Sequence, residues 1–125
     1  MKILVVDDQV NLARVTAVAL RVLGCHPFTV NSTAEATRLL REEKIDALFL
    51  DVNLGGESGF DFLAEMQAAQ HRQPVIMFTA QTEDEVGQEA LRRGALGCLT
   101  KPFTLDDLRV QLDKIKRHRS ATSES

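Results

Sequence analysis

Short apolar runs alternate along this chain with segments in which apolar residues recur at helical spacing. The runs predict strands, because an unbroken apolar stretch of four or five residues is typical of a strand buried on both faces of a sheet. The intervening segments, with apolar residues three or four apart, predict amphipathic helices. The predicted strands cover residues 3–6, 26–30, 47–50, 75–79 and 97–100.

The predicted helices follow these strands one by one. Gly24 is a good C-terminal stop for the first helix, and Ser32 or Thr33 can cap the second. The third helix is predicted over residues 60–69, the fourth over 83–94, and the fifth from Thr104 onward. The last nine residues, RHRSATSES, are polar and aperiodic, which predicts a frayed end or a linker.

Strict alternation of strands and helices predicts an α/β fold in which helices cover both faces of a parallel sheet. Pro27 favours an edge position for the second strand, because proline cannot donate to a ladder of hydrogen bonds. The first and third strands are continuously apolar, which favours central positions. We therefore predict a five-stranded parallel sheet in the order 2-1-3-4-5.

The composition favours a soluble single domain over a membrane, nucleic-acid-binding or disulfide-rich protein. A chain of 125 residues with 44% hydrophobic and 26% charged residues is ordinary for one soluble domain. The net charge of −3 argues against direct nucleic-acid binding by this domain. We expect no membrane span and no signal peptide, since no apolar stretch is long enough. Cys25 and Cys98 are too few for a disulfide framework, and we expect reduced thiols in a cytoplasmic protein.

Polar residues stand where four of the predicted strands end. Asp7 and Asp8 follow the first strand, Asp51 the third, Thr79 ends the fourth, and Lys101 follows the fifth. In sheets of this order, ligands lie beyond the carboxyl ends of the central strands. Three neighbouring carboxylates need counter-charge, and oxygen ligands around an open position suit Mg²⁺, or alternatively Mn²⁺.

A phosphoryl group bound at this edge would explain the presence of each of these side chains. Asp51 would be the nucleophile that forms an acyl phosphate, while Mg²⁺ and Lys101 neutralise the phosphoryl oxygens and Thr79 donates a hydrogen bond. Each position alone also has an ordinary explanation. Asp51 could cap a turn, Asp7 or Asp8 could cap the first helix, and Lys101 could be a solvated lysine. Their combination favours the phosphoryl site.

The motifs VVDD, LFLDVNLGGESG, FTA and LTKPF occur in this order along the chain. In these motifs and their spacing the chain resembles the receiver domain of two-component response regulators, with its flavodoxin-like (CheY-like) fold. The resemblance covers residues 1–118. Residues 119–125 would then be a polar tail or the start of a linker to an output domain.

The resemblance implies roles for the acidic residues. Asp51 matches the phosphoacceptor, which takes a phosphoryl group from a sensor histidine kinase or a phosphotransfer protein. Asp8 and Asp51 would bind Mg²⁺ directly, together with the main-chain carbonyl of Asn53. Asp7 would act largely through a bound water. Asn53 and Gln81 match positions that tune self-dephosphorylation in this family.

The resemblance also assigns the remaining site residues. Thr79 and Lys101 match the hydroxyl and ammonium contacts to the phosphoryl group. The peptide bond between Lys101 and Pro102 is typically cis in such domains. Two positions depart from the family pattern: Gly55 stands where proline is frequent, and Cys98 stands where a tyrosine or phenylalanine usually swings inward after phosphorylation. Signalling through that ring is therefore in question for this chain, whereas phosphate acceptance is not.

Partners follow from the same resemblance. Family kinases commonly dock on the first helix, here near Arg14, Ala17, Val18 and Arg21. The fourth helix, fifth strand and fifth helix often form a dimer face, and the mixed charges of these segments would suit pairing between subunits. We expect a signalling switch that catalyses only its own phosphorylation and dephosphorylation, and therefore not an enzyme with an external substrate.

Three other functions remain as alternatives. A degenerate receiver would serve only as a docking module, which Cys98 favours and the three aspartates oppose. A phosphatase of the aspartyl-phosphate type uses similar groups, but it usually carries its nucleophile on the first strand in an Asp-x-Asp arrangement. A flavin-binding module is the weakest alternative, because the DDQVN segment would repel a bare phosphate.

Overall fold

Five parallel strands form the central sheet of the computed structural model, which describes residues 1–80 and 84–123. In chain order its strands are β1 (Lys2–Val6), β2 (His26–Val30), β3 (Ala47–Asp51), β6 (Val75–Thr79) and β7 (Gly97–Thr100). They lie side by side in the order β2-β1-β3-β6-β7. This is the predicted order, because β6 and β7 are the fourth and fifth strands of the sheet, and β2 lies at the predicted edge.

In the described residues, five helices connect and flank these strands. Gly24 has a φ of 87°, which confirms its role directly after the first helix. Ser32 caps the second helix, since its Oγ accepts a hydrogen bond from the Glu35 backbone N–H at 3.2 Å. The helices are α1 (Val10–Val22), α2 (Thr33–Glu42), α3 (Gly59–Ala68), α4 (Asp84–Arg92) and α5 (Leu105–Ser123).

The sheet separates two apolar cores. One core joins alternate strand residues such as Leu48 and Met77 to apolar residues of α2, α3 and α4. The other joins Ile3, Phe49 and Phe78 to the inward faces of α1 and α5. Since successive strand side chains point to opposite faces, burial on both faces explains why the strands are continuously apolar.

The structure differs from the predictions in two segments of the chain. The glycine-rich segment after β3 is not only a turn, because Asn53–Leu54 (β4) and Glu57–Ser58 (β5) pair as a short antiparallel hairpin. The expected frayed end after residue 116 is also wrong for the described part of that segment. Helix α5 continues to Ser123, and an ion pair of 3.0 Å between Arg119 and Asp46 holds its extension against the domain.

The predicted docking face of α1 is only partly exposed. Arg14, Val18 and Arg21 are exposed on α1, but Ala17 is buried, so the prediction that Ala17 belongs to an exposed docking face is wrong. Within the described ranges, no helix has both the length and the apolar character needed to cross a bilayer.

Candidate functional site at the carboxyl edge of the sheet

The carboxyl ends of β1, β3, β6 and β7 bring the predicted site residues together. We call this edge, with Asp7, Asp8, Asp51, Thr79 and Lys101, the carboxyl edge. Asp7 follows β1 and is 0% exposed, and Asp51 and Thr79 are the buried last residues of β3 and β6. Parallel strands in register deliver their ends to one rim, so the fold itself places these side chains near one another.

Lys101 joins the two buried aspartates. Its Nζ lies 2.5 Å from Oδ2 of Asp51 and 3.0 Å from Oδ2 of Asp7. The lysine side chain is only 12% exposed, so both ion pairs are shielded from bulk water. The peptide bond between Lys101 and Pro102 is cis, which confirms the prediction for that bond.

A stack of phenyl rings lies beside the lysine. The Phe49, Phe78 and Phe103 rings stack in sequence with centroids 5.3 Å apart, and Nζ of Lys101 lies 5.5 Å from the Phe78 centroid. An ammonium group at this distance is attracted by the face of the ring. No role was predicted for Phe78 or Phe103, whose only signal in the sequence is their place in the FTA and LTKPF motifs.

Backbone amides fix the second oxygen of each buried carboxylate. Oδ1 of Asp7 accepts a hydrogen bond from the Gln9 N–H, and Oδ1 of Asp51 accepts one from the Asn53 N–H, each at 2.9 Å. Each bond spans two residues, as in an Asx turn, so the turn that follows each strand orients its own carboxylate. The two Oδ2 atoms are then directed to Lys101.

Three carboxylates can act together on a cation. One oxygen each from Asp7, Asp8 and Asp51 lie within 4.8 Å of one another. Asp7 and Asp51 are buried, whereas Asp8 is exposed. Oxygen ligands from carboxylates, with one side open to water, are the donor set of Mg²⁺ or Mn²⁺ rather than Zn²⁺. The residues present therefore fit a hard divalent cation.

Burial and charge shift the pKa of the groups at this edge. Burial raises the pKa of Asp51 above its ordinary value, although the hydrogen bonds from Lys101 and Asn53 oppose this effect. Burial alone would lower the pKa of Lys101, but the hydrogen bonds to Asp51 and Asp7 and the charges of both outweigh it, so the pKa of Lys101 is raised. Lys101 therefore remains an ammonium ion at neutral pH.

An open depression lies above these groups. It has a volume of about 320 Å³, and Asp8, Asp51, Asn53, Thr79 and Lys101 all line it. Asp7 does not line it and lies beneath, in contact with Lys101. Of the three aspartates, Asp51 is thus the one that is both buried and open to the depression.

Two glycines shape the segment after Asp51. A Cβ on Gly59 would lie 2.0 Å from the carbonyl oxygen of Asp51, so only glycine allows α3 to begin this close to β3. Gly55, at the departure from the family's frequent proline, has a φ of 69° and lies in the hairpin turn beside Asp8. The importance of Gly59 was missed, because nothing in the local sequence indicates a backbone contact of this kind.

Cys98 is half-buried on the face of β7 that packs against α4. Its Cβ is 3.9 Å from the position that a Cβ on Gly87 of α4 would take. Burial raises the pKa of the Cys98 thiol, as expected for a small apolar side chain. Gln81, which matches a position that tunes self-dephosphorylation, lies outside the described residues.

Comparison with known proteins agrees with this geometry. The family model described as "Response regulator receiver domain" matches residues 3–113. The chain is 36% identical over 123 residues to the chemotaxis protein CheY-3 of Vibrio cholerae, and the match covers 92% of this chain and 91% of that protein. A receiver domain structure of the Francisella response regulator 1452 superimposes with a TM-score of 0.85 at 26% identity, covering 94% and 98% of the two chains. The predicted fold is thereby confirmed.

Longer regulators also contain a similar region. The regulatory protein AtoC of Escherichia coli is 32% identical over 123 residues, a match that covers 98% of this chain. The match covers only 27% of AtoC, so this chain spans about a quarter of the length of that relative.

Proposed function

Because the chain belongs to the response regulator receiver domain family, we propose that it is a phosphorylation-dependent signalling switch with Asp51 as phosphoacceptor. One observation carries the proposal. Asp51 is buried, open to a depression, held by a backbone amide and paired with the ammonium group of Lys101. A nucleophilic carboxylate, a nearby cation and a hydroxyl are the groups that phosphoryl transfer to an aspartate requires.

The transfer step follows from these positions. An Oδ atom of Asp51 attacks the phosphorus of a phosphohistidine, the new O–P bond forms, and the P–N bond breaks. The electron pair of that bond stays on the departing imidazole, which takes up a proton. Lys101 then contacts the charged phosphoryl oxygens and Thr79 donates its hydroxyl hydrogen to them. By transferring a group to itself, the domain turns over no external substrate.

A divalent cation completes the proposed site. Asp8, Asp51 and the main-chain carbonyl of Asn53 would hold Mg²⁺, and Asp7 would act through a water. The support is the donor set, three carboxylates with oxygens within 4.8 Å. When bound, Mg²⁺ supplies positive charge that offsets the negative charge of the phosphoryl oxygens.

Helix α1 is the proposed docking surface for a histidine kinase or phosphotransfer protein. Val15, Val18 and Val22 are exposed large apolar residues on α1, and Arg14 and Arg21 flank them. The helix begins at Val10, two residues after Asp8, so a partner bound there would lie beside the phosphorylation site. Apolar residues rimmed by charge are typical of a protein interaction surface.

The remaining proposals concern the domain bounds, the oligomeric state and the location of the protein. We place the receiver at residues 1–118 and regard 119–125 as a polar tail or the start of a linker to an output domain, since relatives such as AtoC are about four times longer. The face formed by α4, β7 and α5 carries exposed Leu91 and Val110 beside charged residues, which supports its use in a homodimer. We place the protein in the cytoplasm, without direct nucleic-acid binding by this domain.

The test is the intact mass of the protein after incubation with a small phosphodonor and Mg²⁺. We expect one phosphoryl adduct, which is absent with EDTA and absent in Asp51→Asn. Asp61→Asn, on the exposed first turn of α3, is the matched control and should accept phosphate normally. A folded protein that forms no adduct, or an adduct that persists in Asp51→Asn, would contradict the proposal.

Cys98 favours one second candidate, a docking module whose contacts do not depend on phosphorylation. No ring can swing from this position, and α4 packs closely over it through Gly87. The same mass measurement separates the two functions, because a docking module would form no adduct. Steady release of phosphate from a phosphomonoester would instead indicate the phosphatase alternative.

A further inference from the structure

The amino edge of the sheet contains a second depression, remote from the phosphoryl site. It has a volume of about 730 Å³ and lies where β1, β3 and β6 begin. Residues 70–74, between α3 and β6, form one wall, and the extension of α5 beyond the buried Ile115 forms the other. Volumes of this size are common for small-molecule sites in proteins. We call this feature the basic depression, for the charges described next.

Cations dominate the walls of the basic depression. Arg72 lies on one wall, Lys116 and Arg119 on the other, and two of the three histidines of the chain, His71 and His118, also line it. The chain as a whole has a net charge of −3, so this concentration of positive charge runs against its overall balance. Such a surface attracts anions.

The one carboxylate among the described lining residues is already engaged. Oδ2 of Asp46 accepts a hydrogen bond from the Lys2 N–H at 2.7 Å, and Oδ1 pairs with Arg119 at 3.0 Å. Asp46 thus fixes the α5 wall in place rather than neutralising the opposite wall. Among the described residues, no carboxylate forms a salt bridge with Arg72 or Lys116.

A buried polar atom in the lining also lacks a partner. Oε1 of Gln73 is buried and accepts no hydrogen bond from any described group. This oxygen is closed to solvent, so a ligand in the depression would reach it only after the Gln73 amide turned outward. As it stands, the depression therefore offers cations for the acid groups of a ligand.

We propose that the basic depression binds a small polyvalent anion, a phosphate or carboxylate compound. The ligand would bridge Arg72 on the loop wall and Lys116 on the α5 wall. Because Lys116 and Arg119 belong to the extension of α5, ligand binding would also stabilise this part of the helix.

Citrate and pyrophosphate are the probes, because they carry several negative charges. Binding is followed by NMR on protein from which a chelating resin has removed divalent metal, so that metal binding at the carboxyl edge does not contribute and no soluble polycarboxylate chelator competes with the probes. We expect saturable shifts in the amides of residues 70–73 and 116–120, with a dissociation constant of about 1 mM or tighter for at least one probe. Sodium chloride at the same ionic strength should not reproduce them.

The matched variants are Arg72→Ala with Lys116→Ala, and Arg38→Ala with Arg41→Ala on α2. Each pair removes two exposed cations, so the net charge changes equally. We expect the first pair to weaken binding by about tenfold or more, and the second to leave it unchanged. Equal affinity in both pairs, shifts that sodium chloride reproduces, or no saturable binding in the wild type would identify an adventitious ion only and overturn the proposal.

Discussion

The two edges of the same sheet hold charge in opposite ways. At the carboxyl edge, Asp7 is 0% exposed and Lys101 is 12% exposed, and their ion pair lies over a phenyl stack. At the amino edge, the side chain of Arg119 is 43% exposed and that of Asp46 is 16% exposed, so their ion pair is open to solvent on the arginine side. Charges fixed on strand ends are rigid and desolvated, whereas charges on a helix extension remain hydrated and adaptable. The first arrangement suits covalent chemistry, and the second suits reversible binding of a ligand.

The largest loss of stability is expected from Gly59→Ala, which disturbs the packing of α3 against the carboxyl edge. The new methyl group would lie 2.0 Å from the Asp51 carbonyl oxygen, so the end of β3 or the start of α3 must move. We expect urea denaturation to give a free energy of unfolding lower by about 4 kcal/mol. Gly56→Ala, whose Cβ would meet no atom within 4 Å, is the control and should change stability by less than about 1 kcal/mol.

Lys101→Met should have the next largest effect on stability. The variant keeps most of the contact with Phe78 but leaves Asp7 and Asp51 without their shared cation. Removing one partner of a buried ion pair costs about 3 kcal/mol or more, which chemical denaturation in EDTA should detect. Lys44→Met, at an exposed position, should change stability by less than about 0.5 kcal/mol. Equal losses of unfolding free energy in both variants would contradict the claim that the carboxyl edge depends on a buried ion pair.

Magnesium should stabilise the carboxyl edge specifically. At a hundredfold excess over its dissociation constant, a cation that binds only the folded state adds about 2–3 kcal/mol to the free energy of unfolding. We expect most of this increment to disappear in Asp8→Asn and to remain in Asp61→Asn. Thermal denaturation with and without Mg²⁺ measures it. An increment that survives in Asp8→Asn would place the cation elsewhere.

Arg119→Ala tests how much the ion pair at the amino edge contributes to stability. It breaks an ion pair of ordinary length, but the arginine of that pair is 43% exposed and therefore open to screening by salt. We expect a loss of only about 0.5 kcal/mol, smaller still at high salt, in the same denaturation assay. A loss as large as that of Lys101→Met would mean that burial does not separate the two edges.

Much of the fold was predictable because the strands are apolar on both faces. A run such as ALFL has few alternatives to a buried strand, and the polar residue after it then lies at the sheet edge. Asp7, Asp8, Asp51, Thr79 and Lys101 could therefore be grouped from the sequence. The roles of these five residues come from the resemblance to receiver domains and are proposals.

The features that escaped prediction depend on contacts between distant residues. The continuation of α5 past Ile115 has no apolar periodicity, and its ion pair joins residues 73 positions apart. The short β4–β5 hairpin consists of turn-forming residues that predict only a loop. The double contact of Lys101 and the constraint on Gly59 likewise require three-dimensional positions.

The most direct test of the central claim is the position of the phosphoryl group in the chain. Borohydride reduces an acyl phosphate to an alcohol, so treatment of the phosphorylated protein converts the modified aspartate to homoserine. Peptide mass mapping then identifies the residue. We predict homoserine at position 51 alone, in a reaction that requires Mg²⁺. Homoserine at position 7 or 8, or none in a protein that carries a phosphoryl adduct, would contradict the assignment of Asp51 as the phosphoacceptor.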